Sequence, residues 1–77
     1  MSRRRVAIAR FVDKAAAVRV RRALLELGGR PLAVTMDSSR SPVEYRLQVE
    51  LSQSVERALL DVLLSSEAVR VDVHDAD

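Results

Sequence analysis

The sequence predicts one α+β domain in which two helices cover a single face of a four-stranded antiparallel sheet. Three observations carry that prediction. Four short segments alternate apolar and other residues with a period of two. Two longer segments repeat apolar residues at helical spacing, and the segments follow one another in the order βαββαβ.

The first segment, "RVAIARFV" (Arg5 to Val12), puts Val6, Ile8 and Val12 on one face and Ala7, Ala9 and Phe11 on the other. Two apolar faces suit a central strand covered in part on both sides. Asp13 then offers a side-chain oxygen to the free N–H groups of a helix start. That helix ends at Gly28-Gly29, where a residue without Cβ can turn left-handed, and Pro31 stops it from continuing. "PLAVTMD" reads as the second strand, with Leu32, Val34 and Met36 opposed to Ala33, Thr35 and Asp37. "SSRSP" (Ser38 to Pro42) is a loop, and "VEYRLQVEL" is the most regular strand of the chain. "SQS" supplies hydroxyls to open a second helix over Val55 to Ser65, and "AVRVDVH" closes the sheet.

The second and third strands form a hairpin, and each helix crosses between strands in a right-handed unit. The predicted architecture is therefore a ferredoxin-like sandwich. Residues 1–4 read as a basic N-terminal segment and 5–75 as one domain, with no linker between.

On a helical wheel Ala16, Ala17, Val20, Ala23, Leu24 and Leu27 share the core stripe of the first helix. Arg19, Arg22 and Glu26 fall opposite, with Arg22 and Glu26 spaced to pair at i,i+4. Val18 and Leu25 lie off the stripe, one heptad apart, beside Arg21. In the second helix Val55, Ala58, Leu59, Val62 and Leu63 form the core face, while Leu60 and Leu64 point away. Val18, Arg21, Leu25, Leu60 and Leu64 thus make a candidate partner surface. The competing reading puts the four apolar residues in the groove between the helices, and replacing Leu60 and Leu64 with Ser separates the two.

Composition narrows the functional classes. With no cysteine, the chain has neither disulfides nor thiolate metal ligands. The pI of 9.9 overstates its basicity, because the formal net charge is +2 and arginine supplies nearly all the positive charge. A nucleic-acid binder usually carries a larger and more localised excess, so no nucleic-acid partner is expected. An accessory contact would use Arg3–Arg5 with Arg19 and Arg22. No apolar run approaches the roughly 18 residues of a membrane span.

The uncovered sheet face would display Glu44, Arg46, Gln48, Glu50, Arg70, Asp72 and His74, with Phe11 the one aromatic that could join them. Bases stack on aromatics, so this face is poorly made for RNA. His74 with Asp72, Asp75 and Asp77 is the nearest approach to a metal set, and one histidine among carboxylates does not compose one. A lone histidine also leaves no nucleophile–base pair to assemble. We therefore expect no enzyme, no cofactor and no metal site.

The whole chain resembles an ACT-type regulatory domain, through the βαββαβ order, the length, and "FVDKAAAVRVRRALLELGGRPLAV", where strand, acid, helix and glycine turn succeed one another. Amino-acid-sensing members carry a glycine just after that acid, where this chain has Lys14, Ala15 and Ala16. More narrowly, "VRVRRALLEL", "VEYRLQVEL" and "LLSSEAVRVDVHD" resemble the C-terminal cytosolic domain of the MgtC family of bacterial inner-membrane virulence proteins. That resemblance implies a non-enzymatic regulatory or interaction domain, tied to a membrane-embedded parent that acts in growth at low magnesium and survival inside macrophages. It also implies a protein partner or self-association. The alternative is an amino-acid sensor using Asp13, Lys14, Gly28 and Gly29 at a dimer junction.

Overall fold

Ala7, Ala9 and Phe11, alternate residues of strand β1 (Arg5–Phe11), are fully buried and set the inner face of the sheet. The computed structural model describes residues 4–39, 41–52 and 54–75. After β1 come α1 (Lys14–Glu26), β2 (Arg30–Pro31), β3 (Thr35–Asp37), β4 (Glu44–Leu51), α2 (Glu56–Leu64) and β5 (Arg70–Asp75). The fold is α+β, with two helices and an antiparallel sheet of five strands in the order β2-β4-β1-β5, β3 also pairing with β4. This is compatible with a ferredoxin-like arrangement. The radius of gyration, 12.0 Å, is close to the ~11.5 Å of a compact chain this long. No helix among the described residues is long and apolar enough to cross a membrane.

The sheet has more strands than the sequence predicts, and the cause is a bulge. β4 spends one edge on β1, so β2 and β3 share the other. Pro31 faces Val49 and Thr35 faces Arg46, so three residues (32–34) stand against two (47 and 48). The extra residue shifts the alternation. Leu32, whose N–H donates to the Gln48 carbonyl, falls on the uncovered face, and Val34 and Met36 fall on the helix side. The continuous alternation read from "PLAVTMD" is thus corrected: Leu32 parts company with Val34 and Met36.

Inside, Leu47, Val49 and Leu51 of β4 join the β1 residues, and α1 and α2 lay Ala16, Ala17, Leu24, Leu59 and Leu63 on them. These residues come from one sheet face only, so both helices lie on that face. The small side chains of Ala7, Ala9, Ala16 and Ala17 let α1 sit close to β1. Phe11 belongs to this core and not to the uncovered face.

Asp13 caps α1 as its spacing predicts, its side chain accepting from the Ala15 N–H at 3.1 Å. The other end is a Schellman turn: Gly29 N–H donates to the Leu24 carbonyl and Gly28 N–H to that of Leu25. Gly28 has φ +86, where a Cβ is strained. Gly29 is needed for space, since a Cβ there would lie 2.8 Å from Leu59 Cδ2 and 2.9 Å from the Leu24 carbonyl oxygen. The start of α2 departs from expectation. Val55 holds the N-cap position with no side-chain hydrogen bond, and Glu56 instead accepts from Arg5 Nη1 at 2.8 Å, tying α2 to the beginning of β1.

Two substitutions test this junction. We expect Gly29→Ala to cost about 1–3 kcal/mol through overpacking, and Gly28→Ala the smaller amount, about 1 kcal/mol, through backbone strain. Urea unfolding of both variants reads the order, and a harmless Gly29→Ala would disprove the close approach.

Candidate functional site

The helix layer carries the predicted partner residues, and the structure divides them. Val18 and Leu25 are 43% and 47% exposed, and Leu64 is 70% exposed. Leu60 is half-buried and packs against the core, so its predicted outward direction is corrected. α2 buries a wider stripe than its two fully buried leucines suggest, because it lies on both the sheet and α1.

Arg21 and Arg19 orient α1. Arg21 Nε donates to the Leu32 carbonyl at 2.9 Å, over the β2 edge, and Arg19 Nη2 meets Glu67, just beyond α2, at 3.2 Å. By the helical wheel Val18 and Leu25 face outward on the Arg21 flank, turned away from α2. The structure therefore does not gather Val18 and Leu25 with Leu64 into one patch. Arg22 and Glu26 form no ion pair with each other among the described residues; Arg19–Glu67 takes that role on the outer face.

The candidate sensor residues also separate. Asp13 and Lys14 sit at the start of α1, and Gly28 and Gly29 at its far end, roughly 20 Å along a 13-residue helix. Within one copy they make no common pocket. A shallow cleft of about 270 Å³ does adjoin Gly28 and Gly29, lined by Arg30, Glu50 and Ser52. Arg30 and Glu50 are cross-strand partners there; sequence reasoning placed Glu50 on the uncovered face but did not join it to Arg30. Their pairing depends on β2 turning in straight after the glycines, a long-range register with no local sequence signal.

The uncovered sheet face holds Glu44, Arg46, Gln48, Glu50, Arg70, Asp72 and His74 as predicted, with Val6 and Ile8 at its centre. Its charges answer one another. Arg10 Nη1 lies 3.3 Å from Asp37 and 3.8 Å from Glu44, and Arg70 lies 2.9 Å from Asp72. Glu44 Oε1 is buried without a hydrogen-bond partner among the described residues, held only by its attraction to Arg10. Among the described residues no three His, Cys, Asp or Glu side chains gather as a metal site would need; Asp77 lies outside them. Of Arg3–Arg5 only Arg4 and Arg5 are among the described residues. Arg4 approaches Glu50 at 4.0 Å and Arg5 pairs with Glu56.

The Ser39 hydroxyl, followed by the Ser39 N–H, holds the Asp37 carboxyl below its ordinary value of 3.8; Arg10 adds to this and burial opposes it. A lowered carboxyl favours the fold above its ordinary range, and that contribution disappears as the pH falls through the lowered value.

No protein-family model matches the chain, and no curated protein matches it.

Two measurements follow from these placements. In a carbon-detected carboxyl titration, Ser39→Ala should raise the Asp37 midpoint toward the ordinary range; an unmoved midpoint would remove the hydroxyl as principal cause. Leu60→Ser should lower stability by about 1–2 kcal/mol, while Leu64→Ser stays within about 0.5 kcal/mol of the parent. Equal effects in chemical unfolding would refute the division between them.

Proposed function

We propose that this chain is a non-enzymatic regulatory or interaction domain of ACT-like, ferredoxin-like architecture, whose four-stranded sheet has its second strand interrupted by the bulge. We further propose that it is the cytosolic C-terminal domain of an MgtC-type bacterial inner-membrane protein, acting in growth at low magnesium and intramacrophage survival. The observation that carries the interaction reading is the pair Val18 and Leu25, one heptad apart and each nearly half exposed. A surface helix ordinarily turns such a pair inward. The apolar pair beside Arg21 suits a protein partner, because partner surfaces combine apolar area with arginine.

A second reading, a small-molecule sensor, is favoured by the cleft at Gly28 and Gly29. Arg30 and Glu50, opposite in charge and directly paired across strands, would suit the carboxylate and ammonium of an amino acid.

The deciding experiment is an amide-resolved titration with the twenty amino acids and magnesium, joined to a growth assay. On the interaction reading the amides of Gly28 to Arg30 and of Glu50 do not move. The parent protein carrying Val18→Ser with Leu25→Ser then fails to support growth at low magnesium, although the isolated variant domain melts as the unaltered one does. Saturable shifts at Gly28 to Arg30, with growth unaffected by the double substitution, would replace this reading with the sensor.

A further inference from the structure

Three arginines stand side by side on the uncovered sheet face. Arg10 of β1 is the cross-strand partner of Arg46 on β4 and of Arg70 on β5. Like charges set directly opposite across strands are destabilising, so each guanidinium in such a row calls for a counter-charge. Two of them have one. Arg10 lies 3.3 Å from Asp37 and 3.8 Å from Glu44, and Arg70 lies 2.9 Å from Asp72. Arg46 is exposed and forms no ion pair among the described residues.

Beside Arg46 the bulge opens a shallow cleft. Its volume is about 320 Å³, and Leu32, Ala33, Thr35, Arg46 and Gln48 line it. The space exists because the bulged segment bends where residues 32–34 stand against 47 and 48. Leu32, 58% exposed, supplies an apolar wall. The Thr35 hydroxyl donates to the Arg46 carbonyl at 3.5 Å, which ties β3 to β4 at the cleft.

We propose that this cleft binds a small apolar monocarboxylate, its carboxylate on the Arg46 guanidinium and its hydrocarbon part on Leu32. The site goes beyond the interaction reading and does not depend on it.

The lining selects the ligand class. A guanidinium presents parallel N–H donors that match the two oxygens of a carboxylate. Gln48 follows Arg46 by two residues on the same face, and its amide can donate to the same group. On the other side of Arg46 stand Glu44 and Asp37, cross-strand partners on that face, so a second negative charge would be repelled. Phosphate monoesters and polyanions are thereby disfavoured. Among the described residues no carboxylate lines the cleft, so nothing there holds an ammonium group. A simple acid therefore fits better than an amino acid. The cleft at Gly28 and Gly29 differs in this respect, since Arg30 and Glu50 offer both charges. The volume is at the low end for ligand sites and suits a short-chain acid.

The test is an amide-resolved titration of the full chain with sodium butyrate, the ionic strength held with sodium chloride. Butyrate should move the amides of Leu32 to Thr35 and of Arg46 to Gln48, saturating in the millimolar range expected of so small a ligand. Butyramide has the same shape without the charge and should bind at least about tenfold more weakly. Butyrate should lose a similar factor on Arg46→Gln, while Arg46→Lys, which keeps the charge without the fork, falls between. Leu32→Ser should erase the parent's preference for butyrate over acetate. The spectrum of each variant also reports its fold, so a lost site is distinguished from a lost structure. Equal response to butyramide or to chloride alone, shifts that persist in Arg46→Gln, or no saturable response overturns the inference. Shifts confined to Gly28 to Arg30 and Glu50 also overturn it. None of these results bears on the growth defect of the Val18 and Leu25 variant, which tests the interaction reading separately.

Discussion

The approach of Gly29 to Leu59 is the constraint on which the rest of the chain's course depends. Space for a Cβ is closed on one side by the Leu59 side chain and on the other by the Leu24 carbonyl. The end of α1, the entry to β2 and the middle of α2 therefore meet at one point. Because the Gly29 N–H is held by Leu24, the chain leaves α1 in one direction only. That direction places Arg30 opposite Glu50 and Pro31 opposite Val49. A larger residue at position 29 would push α2 outward, and Leu59 and Leu63 would lose their seat on the sheet.

The bulge is the second consequence of this entry. Pro31 can take its place because β2 is an edge strand, where a missing N–H leaves no partner unsatisfied. Beyond it the extra residue returns Val34 to the helix side, and the Leu32 carbonyl accepts from Arg21. α1 is thus fastened to this edge by a charge-assisted bond as well as by packing. Arg21 explains why one arginine of "VRVRR" lies off the solvent pole of the helix: it spans the gap between helix and edge.

Much of this was legible because it is local. A carboxylate before a helical period, two glycines at its end and a strict period of two in "VEYRLQVEL" each act within a few residues, and Asp13, Gly28 and β4 stand where these signals put them. What escaped depends on partners distant in sequence. "PLAVTMD" has an alternating pattern throughout, and only pairing with β4 reveals the residue in excess. Leu60 looks outward on an isolated wheel because the wheel knows nothing of the second surface that α2 meets. The ion pairs Arg5–Glu56 and Arg19–Glu67 join residues 51 and 48 positions apart, so no local spacing announces them. The candidate sensor residues looked like one region for the opposite reason. They flank one helix in sequence, and the length of that helix is what separates them.

The distribution of charge and apolar surface bears on what such a domain can do. On the uncovered face two of the arginines are engaged by carboxylates beside them, Arg10 by Asp37 and Glu44, Arg70 by Asp72. Surface pairs of this kind add little to stability, yet they leave little net field to attract a polyanion. Exposed apolar side chains are scattered over the surface: Val18 and Leu25 on the outer side of α1, Leu64 on α2, Leu32 and Met36 near the β2–β3 edge, and Val69 and Val73 at the β5 edge. α1 packs on β2, β4 and β1, so its Val18 and Leu25 lie toward the edge of the sheet opposite Val69 and Val73, and among the described residues no single broad apolar face is left uncovered.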